Sequence, residues 1–120
     1  MSRSRLSLRG TVFITALMLS GGSAFGANAM TSANDVMPGC RDSLKPEITA
    51  DFLQGFCLGL ITALSDVADA TKISCLPPEV TRGQIVRVVV QYIDNRPARM
   101  HEIFTVFAAE AMKSAWPCQR

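Results

Sequence analysis

The sequence predicts an all-α protein, a small disulfide-bonded helical bundle of three to five helices. Apolar residues recur every three or four positions in three long segments, and prolines separate these segments. The chain has only 120 residues and four cysteines, Cys40, Cys57, Cys75 and Cys118. An even number of cysteines in a short exported chain is typical of a two-disulfide framework, which supplements the small core of such a domain.

The first 29 residues have the layout of a cleaved secretory signal. Three arginines within the first nine residues precede an apolar run at 11–19, and a small-residue segment follows at 20–29. The apolar run is too short to span a bilayer as a permanent anchor. We predict cleavage after Gly26 or Ala29, which leaves no membrane anchor, and a single domain over residues 35–118.

The charge of the chain changes once this signal is removed. The full chain has 12 basic and 10 acidic residues. Three of the basic residues lie in the signal, which leaves nine basic against ten acidic residues and a net charge of −1. No basic patch is left that would indicate binding to nucleic acid or to an anionic membrane.

The first predicted helix follows an N-terminal stretch without a clear period. Residues 27–36 are small and polar, and we expect them to form a loose tail. A helix is then predicted from about Glu47 to Ala70, because the apolar residues there form two adjacent rows. So broad an apolar stripe predicts a central helix with neighbours on two sides. Gly55 and Gly59 each cost about 1 kcal/mol in a helix interior, so we expect another backbone to approach closely at these positions.

The second predicted helix has a clear start signal. Thr81 and Gln84 have the spacing of a capping box. Residues 85–93 are rich enough in β-branched side chains to form a strand, and the capping box decides in favour of a helix. This helix is expected to end near Asn95, because Pro97 disfavours helical geometry in the residue before it.

The third predicted helix runs from about Pro97 or Ala98 to Ala115, and Pro117 ends it. The turn that leads into it carries a cluster of polar residues. One interpretation is a solvated turn, and the other is a contact surface for a partner protein, presented on a rigid helix hairpin. The six residues of this candidate surface are Asp94, Asn95, Arg96, Arg99, His101 and Glu102.

The helix lengths indicate how the cysteines pair. Short connections make the three helices antiparallel neighbours, which brings Cys75 and Cys118 to the same end of the bundle. Cys57 lies 13 residues before the predicted helix end at Ala70, or roughly 20 Å at about 1.5 Å per residue, so a bond from Cys57 to Cys75 is awkward. Of the three possible pairings we therefore predict Cys40–Cys57 and Cys75–Cys118.

Catalysis has little support in the sequence. His101 is the only histidine, and although Glu102 follows it, the second histidine of a zinc protease motif is missing. The cysteines are separated by 16, 17 and 42 residues, whereas structural zinc sites usually contain a close pair. We therefore predict no catalytic residue, no metal site and no cofactor, and we do not expect an enzyme.

Seven short segments of the chain form a pattern that is typical of one protein family. They are PGCR at 38–41, FLQGFCLG at 52–59, CLP at 75–77, VTRGQ at 80–84, VVVQYI at 88–93, RPARMH at 96–101 and AWPC at 115–118. Together these segments resemble the Rap/Tai family of immunity proteins, which are associated with the amidase effectors of type VI secretion. The resemblance covers about residues 35–118.

This resemblance implies a small all-helical protein of the periplasm. It also implies a function: binding of a secreted, peptidoglycan-cleaving amidase effector and blockage of its active-site cleft, without catalytic residues in the immunity protein itself. The matching segments are structural in kind, so no effector-contacting residue can be carried over from the family.

Two other functions stay open at this point. Size, disulfides and helical content are also similar to those of the small HdeA-type acid-stress proteins, which makes a periplasmic chaperone or general binding module the alternative. A small enzyme is the third hypothesis, with His101 as its best candidate residue. The sequence also leaves a homodimer open, either through the face of Gly55 and Gly59 or through the third helix.

Overall fold

Four helices and two disulfides organise the chain in the computed structural model, which describes residues 32–47, 49 and 51–119. The helices are α1 (Ala33–Asp42), α2 (Phe52–Ala70), α3 (Arg82–Asp94) and α4 (Phe104–Ala115), and a short 3-10 turn, Pro97–Arg99, lies between the last two. Within the described ranges there is no strand, so the predicted all-α fold is confirmed. The predicted signal at 1–29 lies outside the described residues.

Helix α1 corrects the prediction of a loose N-terminal tail, as far as residues 33–36 are concerned. The helix contains Pro38 and Gly39, both unfavourable in a helix interior. Val36 and Met37 are nonetheless fully buried in the core. Burial of such side chains stabilises by about 1.5–3 kcal/mol each, enough to offset the poor helix propensity.

The close approach of two backbones is at Gly39, where α1 crosses α2, and not at the predicted glycines. A Cβ on Gly39 would stand 2.9 Å from the amide nitrogen of Gln54 and closer still to the carbonyl group of Leu53. By contrast, no described atom outside the helix backbone lies within 4 Å of a Cβ built on Gly55 or Gly59. The expected contact at Gly55 and Gly59 is therefore wrong for the single chain.

Helix α2 begins at Phe52, after an extended Asp51, and not at the predicted Glu47. It packs against the other three helices, as predicted for a central helix. Only one side of α2 takes part, however, with Cys57 and Ile61 fully buried. The apolar residues on the opposite side are exposed, as shown by Phe52 at 67%.

The start of α3 is the predicted capping box. The Thr81 hydroxyl accepts a hydrogen bond from the Gln84 amide at 3.3 Å, and the Thr81 amide donates to Gln84 Oε1 at 2.7 Å. Two of the amides that a helix start leaves unpaired are thus satisfied. Five apolar residues of α3 then face the core: Ile85, Val86, Val89, Val90 and Ile93.

The third predicted helix begins later than expected, at Phe104 instead of Pro97 or Ala98. The reason is the N-terminal chain, which pairs with this region. Ser32 and Ile103 form an antiparallel bridge, and the Ala33 amide donates to the Glu102 carbonyl at 2.9 Å. Ile103 is extended to make this bridge, which interrupts the helix.

The disulfides join the pairs that the helix lengths predicted. Cys40 in α1 is bonded to Cys57 in α2, with Cα atoms 5.3 Å apart. Cys75 is bonded to Cys118, with Cα atoms 4.9 Å apart. The first bond fixes α1 on α2, and the second joins the segment before α3 to the one after α4. All four cysteines are therefore part of the scaffold.

Candidate functional site

The candidate surface Asp94–Glu102 forms the corner between α3 and α4, here called the α3–α4 corner. Its six polar residues do not act as one cluster in the structure, because three of them have separate partners.

Asp94 at the end of α3 forms an ion pair with Arg41 at the end of α1. The Arg41 guanidinium donates from both Nε and Nη2, with Nε 3.2 Å from Asp94 Oδ1. Both side chains are about 40–45% exposed, and exposed ion pairs contribute at most about 1 kcal/mol. The pair links the end of α1 to the corner. Sequence analysis missed Arg41, since 53 residues separate it from Asp94 and no local pattern links them.

Arg96 lies on the ring of Tyr92, one helical turn before it. Its Cζ atom is 3.6 Å from the ring centroid, and Nη1 donates to the Tyr92 carbonyl at 2.8 Å. This cation–π contact and the hydrogen bond hold the arginine flat against α3. Arg96 also caps one of the last carbonyls of the helix, so its conformation is set before any partner arrives.

Arg99 is the most strongly bonded residue of the corner. Its guanidinium makes two parallel hydrogen bonds of 2.7 Å to Glu102 and a further one of 2.8 Å to Glu110 in α4. Its Cζ atom also lies 4.3 Å from the ring centroid of Phe107. Two parallel hydrogen bonds between a guanidinium and a carboxylate fix the orientation of one group relative to the other. Sequence analysis named Arg99 and Glu102 but missed Glu110, which is 11 residues away in the chain.

The contacts of Arg99 change the pKa of the Glu102 carboxylate. The hydrogen bonds from Arg99 lower the pKa of Glu102, and desolvation opposes this only partly. The same bonds, from Glu102 first and then Glu110, raise the pKa of Arg99 further above its ordinary value. Arg99 and Glu102 are therefore both charged near neutral pH, and their opposite charges largely neutralise each other.

Asn95 and His101 are exposed, and neither belongs to the ion pairs described above. Two shallow clefts flank Asn95 and Gln91. One has a volume of about 280 Å³ and is lined on its far side by Tyr92 and Arg96. The other, of about 430 Å³, includes Arg87, Asp94 and Leu44. The end of α3 is thus a polar ridge between two clefts, a shape to which the surface of another protein can be complementary.

Catalytic or metal chemistry finds no support in the described part of the chain. There, no three His, Cys, Asp or Glu side chains are grouped so that they could hold a metal ion. His101 is exposed at the surface of the corner. The absence of cofactor, metal and enzyme activity stays a prediction.

A comparison with known proteins adds one finding. The family model described as Rap1a immunity proteins matches residues 32–118, which include all four helices and both disulfides. No curated protein shows significant similarity to the chain, and no solved structure does.

Proposed function

The chain belongs to the Rap1a immunity protein family, and on that premise we propose that it acts in the periplasm, where it binds a peptidoglycan-cleaving amidase effector and blocks its active-site cleft. Family membership implies an immunity protein for a secreted effector, an inhibitor rather than an enzyme. The amidase target, the link to type VI secretion and the periplasmic site are parts of our proposal. The signal-like segment at 1–29 and the disulfides support an oxidising compartment outside the cytoplasm.

The observation that carries the proposed contact site is the internal bonding of the α3–α4 corner. Arg99 is held by Glu102 and Glu110, and Arg96 is held on Tyr92. A surface whose long side chains are already fixed loses less conformational entropy on binding, which favours tight inhibition. We propose that Asn95 and His101 contact the effector directly and that Arg99 positions the turn that presents them.

A blocking mechanism needs only shape and hydrogen bonds from the inhibitor. The ridge at Gln91 and Asn95 offers two amide side chains between two clefts, so it can enter a groove on the effector while the clefts receive the walls of that groove. Amide groups donate and accept hydrogen bonds at once, and they can pair with the backbone of a cleft without a cost for burying charge.

A homodimer belongs to the proposal as well, through a different face, the outer side of α2.

The test is inhibition of a secreted Cys/His amidase, the class of enzyme that we expect a neighbouring gene to encode. Residues 30–120, oxidised, are titrated into the amidase while the release of soluble fragments from purified peptidoglycan is measured. We expect stoichiometric inhibition. Asn95→Arg and His101→Glu should weaken binding at least about tenfold, which corresponds to about 1.4 kcal/mol.

Glu79→Arg serves as the control, since Glu79 is exposed in the connection before α3, far along the helix from the corner. Inhibition that survives in both corner variants, to the same degree as in this control, would place the contact site elsewhere. If the unaltered chain neither binds nor inhibits the amidase, the proposed function itself is wrong.

A further inference from the structure

The two disulfides of the chain differ in how far solvent reaches them. Cys40 and Cys57 are fully buried in the core. Cys75 and Cys118 are half-buried, and Cys118 lies in the wall of a cleft of about 360 Å³. Thiol–disulfide exchange requires that a thiolate reach one of the two sulfur atoms. Of the two bonds, the one between Cys75 and Cys118 therefore meets this condition in the folded protein.

The cleft beside Cys118 has a positively charged lining. Its other lining residues are Lys72, Ile73, Lys113 and Pro117, which provide two ammonium groups and, among the described residues, no carboxylate. Its volume lies in the range of small-molecule sites, and it is more enclosed than the two clefts at the α3–α4 corner. A small anion therefore finds both room and opposite charge next to the sulfur atom.

Lys72 has an unusual backbone conformation, just after the end of α2. Its φ angle is 57°, in the left-handed region, and no other described residue has a positive φ angle. Glycine usually takes such a position at a helix end, because a Cβ atom is unfavourable there. The carbonyl oxygen of Lys72 is 3.5 Å from Cys118 Sγ. A charged residue thus lies beside the disulfide where glycine would fold more easily, which a function of its charge would explain.

The two lysines of the cleft have weak partners or none. The Lys72 ammonium lies 3.8 Å from Oδ1 of Asp69, and both side chains are more than half exposed. Such a pair is weak because water screens it. Lys113 lies in the last turn of α4 and forms no ion pair within the described residues. Both ammonium groups are therefore available to an anion in the cleft.

We propose that Cys118 is a modification site, at which a small thiol that carries an anionic group exchanges with the Cys75–Cys118 bond. The thiolate sulfur attacks Cys118 Sγ, the bond between the two cysteines breaks, and its electron pair leaves with Cys75 Sγ. The products are a mixed disulfide at Cys118 and a thiolate at Cys75, which takes a proton from solvent. No oxidant is needed, because one disulfide replaces another.

The cleft determines which sulfur atom reacts and which thiol is preferred. Cys118 lines the cleft and Cys75 does not, so the incoming thiolate reaches Cys118. Lys72 and Lys113 attract the anionic group of the thiol, and positive charge close by also favours the thiolate over the less reactive thiol form. A cationic thiol meets repulsion in the same place. The preferred class is therefore a low-molecular-weight thiol with a carboxylate or sulfonate group.

Exchange at this bond loosens the end of the bundle that lies opposite the α3–α4 corner. The bond joins the segment before α3 to the segment after α4. A hydrogen bond of 2.9 Å from the Cys75 amide to the Trp116 carbonyl joins the same two segments. Trp116 is the single tryptophan of the chain, so its fluorescence should change when the disulfide opens.

The experiment compares three thiols of equal length that differ in their terminal group: mercaptoethanesulfonate, which is anionic, mercaptoethanol, which is neutral, and cysteamine, which is cationic. Residues 30–120, oxidised and folded, react with each thiol at low salt, and Trp116 fluorescence gives the rate constants. Alkylation then stops the reaction, and mass spectrometry maps the products. We expect the anionic thiol on Cys118, an alkylated Cys75 and an intact Cys40–Cys57 bond.

Replacement of both cleft lysines by glutamine, Lys72→Gln together with Lys113→Gln, tests the role of their charge. The ratio of the rate constants for the anionic and the cationic thiol should fall at least about fivefold at low salt. This ratio is compared between proteins, so the intrinsic reactivities of the two thiols cancel. Molar salt should lower the ratio of the unaltered protein in the same direction, because it screens the lysines.

Lys45→Gln is the matched control, the same change at the remaining lysine of the chain. Lys45 follows α1, whose end is linked to the α3–α4 corner, whereas the reactive bond is at the opposite end of α3. This variant should leave the ratio unchanged. All three lysines are exposed, so the variants should keep the urea midpoint of the unaltered protein, which separates a lost charge from a failed fold.

Four results would overturn the inference. One is a Cys75–Cys118 bond that none of the three thiols opens in the folded protein. Another is a Cys40–Cys57 bond that opens equally fast, since exchange would then require unfolding of the whole chain. The third is an adduct on Cys75 in place of Cys118. The fourth is a ratio that the double glutamine variant changes no more than the control does. None of these results depends on the amidase assay.

Discussion

Replacement of Gly39 by alanine tests the central claim about how α1 packs on α2. The added methyl group would lie 2.9 Å from the Gln54 nitrogen and closer to the Leu53 carbonyl, whereas ordinary Cβ contacts begin at 3.4 Å. The obstacle is backbone within a helix, so it cannot rotate away, and α1 must move outward by on the order of 1 Å. The adjacent Cys40–Cys57 bond opposes that movement.

The magnitude follows from two opposing effects. Excess volume in a packed interior costs about 1–3 kcal/mol, and the upper end applies where backbone blocks the new atom. Alanine is about 1 kcal/mol more favourable than glycine in a helix interior, which offsets part of this cost. We therefore expect Gly39→Ala to lower the free energy of unfolding by about 2 kcal/mol, or to lower the melting temperature by on the order of 10 °C for a domain of this size.

Urea unfolding of the oxidised protein at low concentration, followed by circular dichroism, measures this change. Gly55→Ala is the matched control, because its added methyl group meets no described atom within 4 Å. That variant should gain up to about 1 kcal/mol. If Gly39→Ala proved as stable as Gly55→Ala, the helix crossing described above would be refuted.

Three further predictions concern the helix start, the second disulfide and pH. Thr81→Ala removes the cap of α3 and should cost about 1 kcal/mol in urea unfolding, and an unchanged midpoint would contradict the capping role. Serine at both Cys75 and Cys118 opens a link that spans 43 residues and should cost about 4 kcal/mol by the chain-entropy relation, measured the same way; a loss below about 1 kcal/mol would contradict it. Because Arg99 lowers the folded-state pKa of Glu102, this pair's contribution is present above the unfolded pKa and is lost as the pH falls through the folded one. Glu102→Gln should therefore flatten the decline of the urea midpoint below about pH 4.5, and an unchanged slope would count against the pair.

What the sequence could predict is mostly local. The capping box at Thr81 and Gln84 involves residues three apart, and their side chains and backbone amides are enough to define it. The disulfide pairing followed from helix lengths, because short connections leave few ways to arrange three helices. The all-α class was predicted from the recurrence of apolar residues every three or four positions.

Helix α1 could not be predicted, because tertiary contacts stabilise it against its own sequence. Pro38 and Gly39 both indicate a turn, but burial of Val36 and Met37 and the bond from Cys40 to α2 override them. The late start of α4 has a similar cause. Residue 103 is extended because it pairs with Ser32, 71 positions away in the chain.

The packing of Gly55 and Gly59 could not be predicted from the sequence either. Periodicity placed Gly55 and Gly59 on an apolar helix, but it could not tell which side of that helix the core would cover. The turn between α3 and α4 lies where the sequence predicted a turn, whereas the pairs that its residues form with Arg41 and Glu110 depend on the arrangement of helices. Whether this corner or another surface meets the effector stays a prediction.

The order of the disulfides along the chain has a consequence for biosynthesis. A polypeptide that emerges amino end first presents its thiols as 40, 57, 75 and 118, and the native bonds join the first to the second and the third to the fourth. If Cys40 and Cys57 are joined before Cys75 emerges, the mismatched 57–75 bond has no free thiol to form from. An oxidase that simply joins consecutive cysteines would thus give the native set without a later isomerase, and the fold could be completed as soon as Cys118 is released.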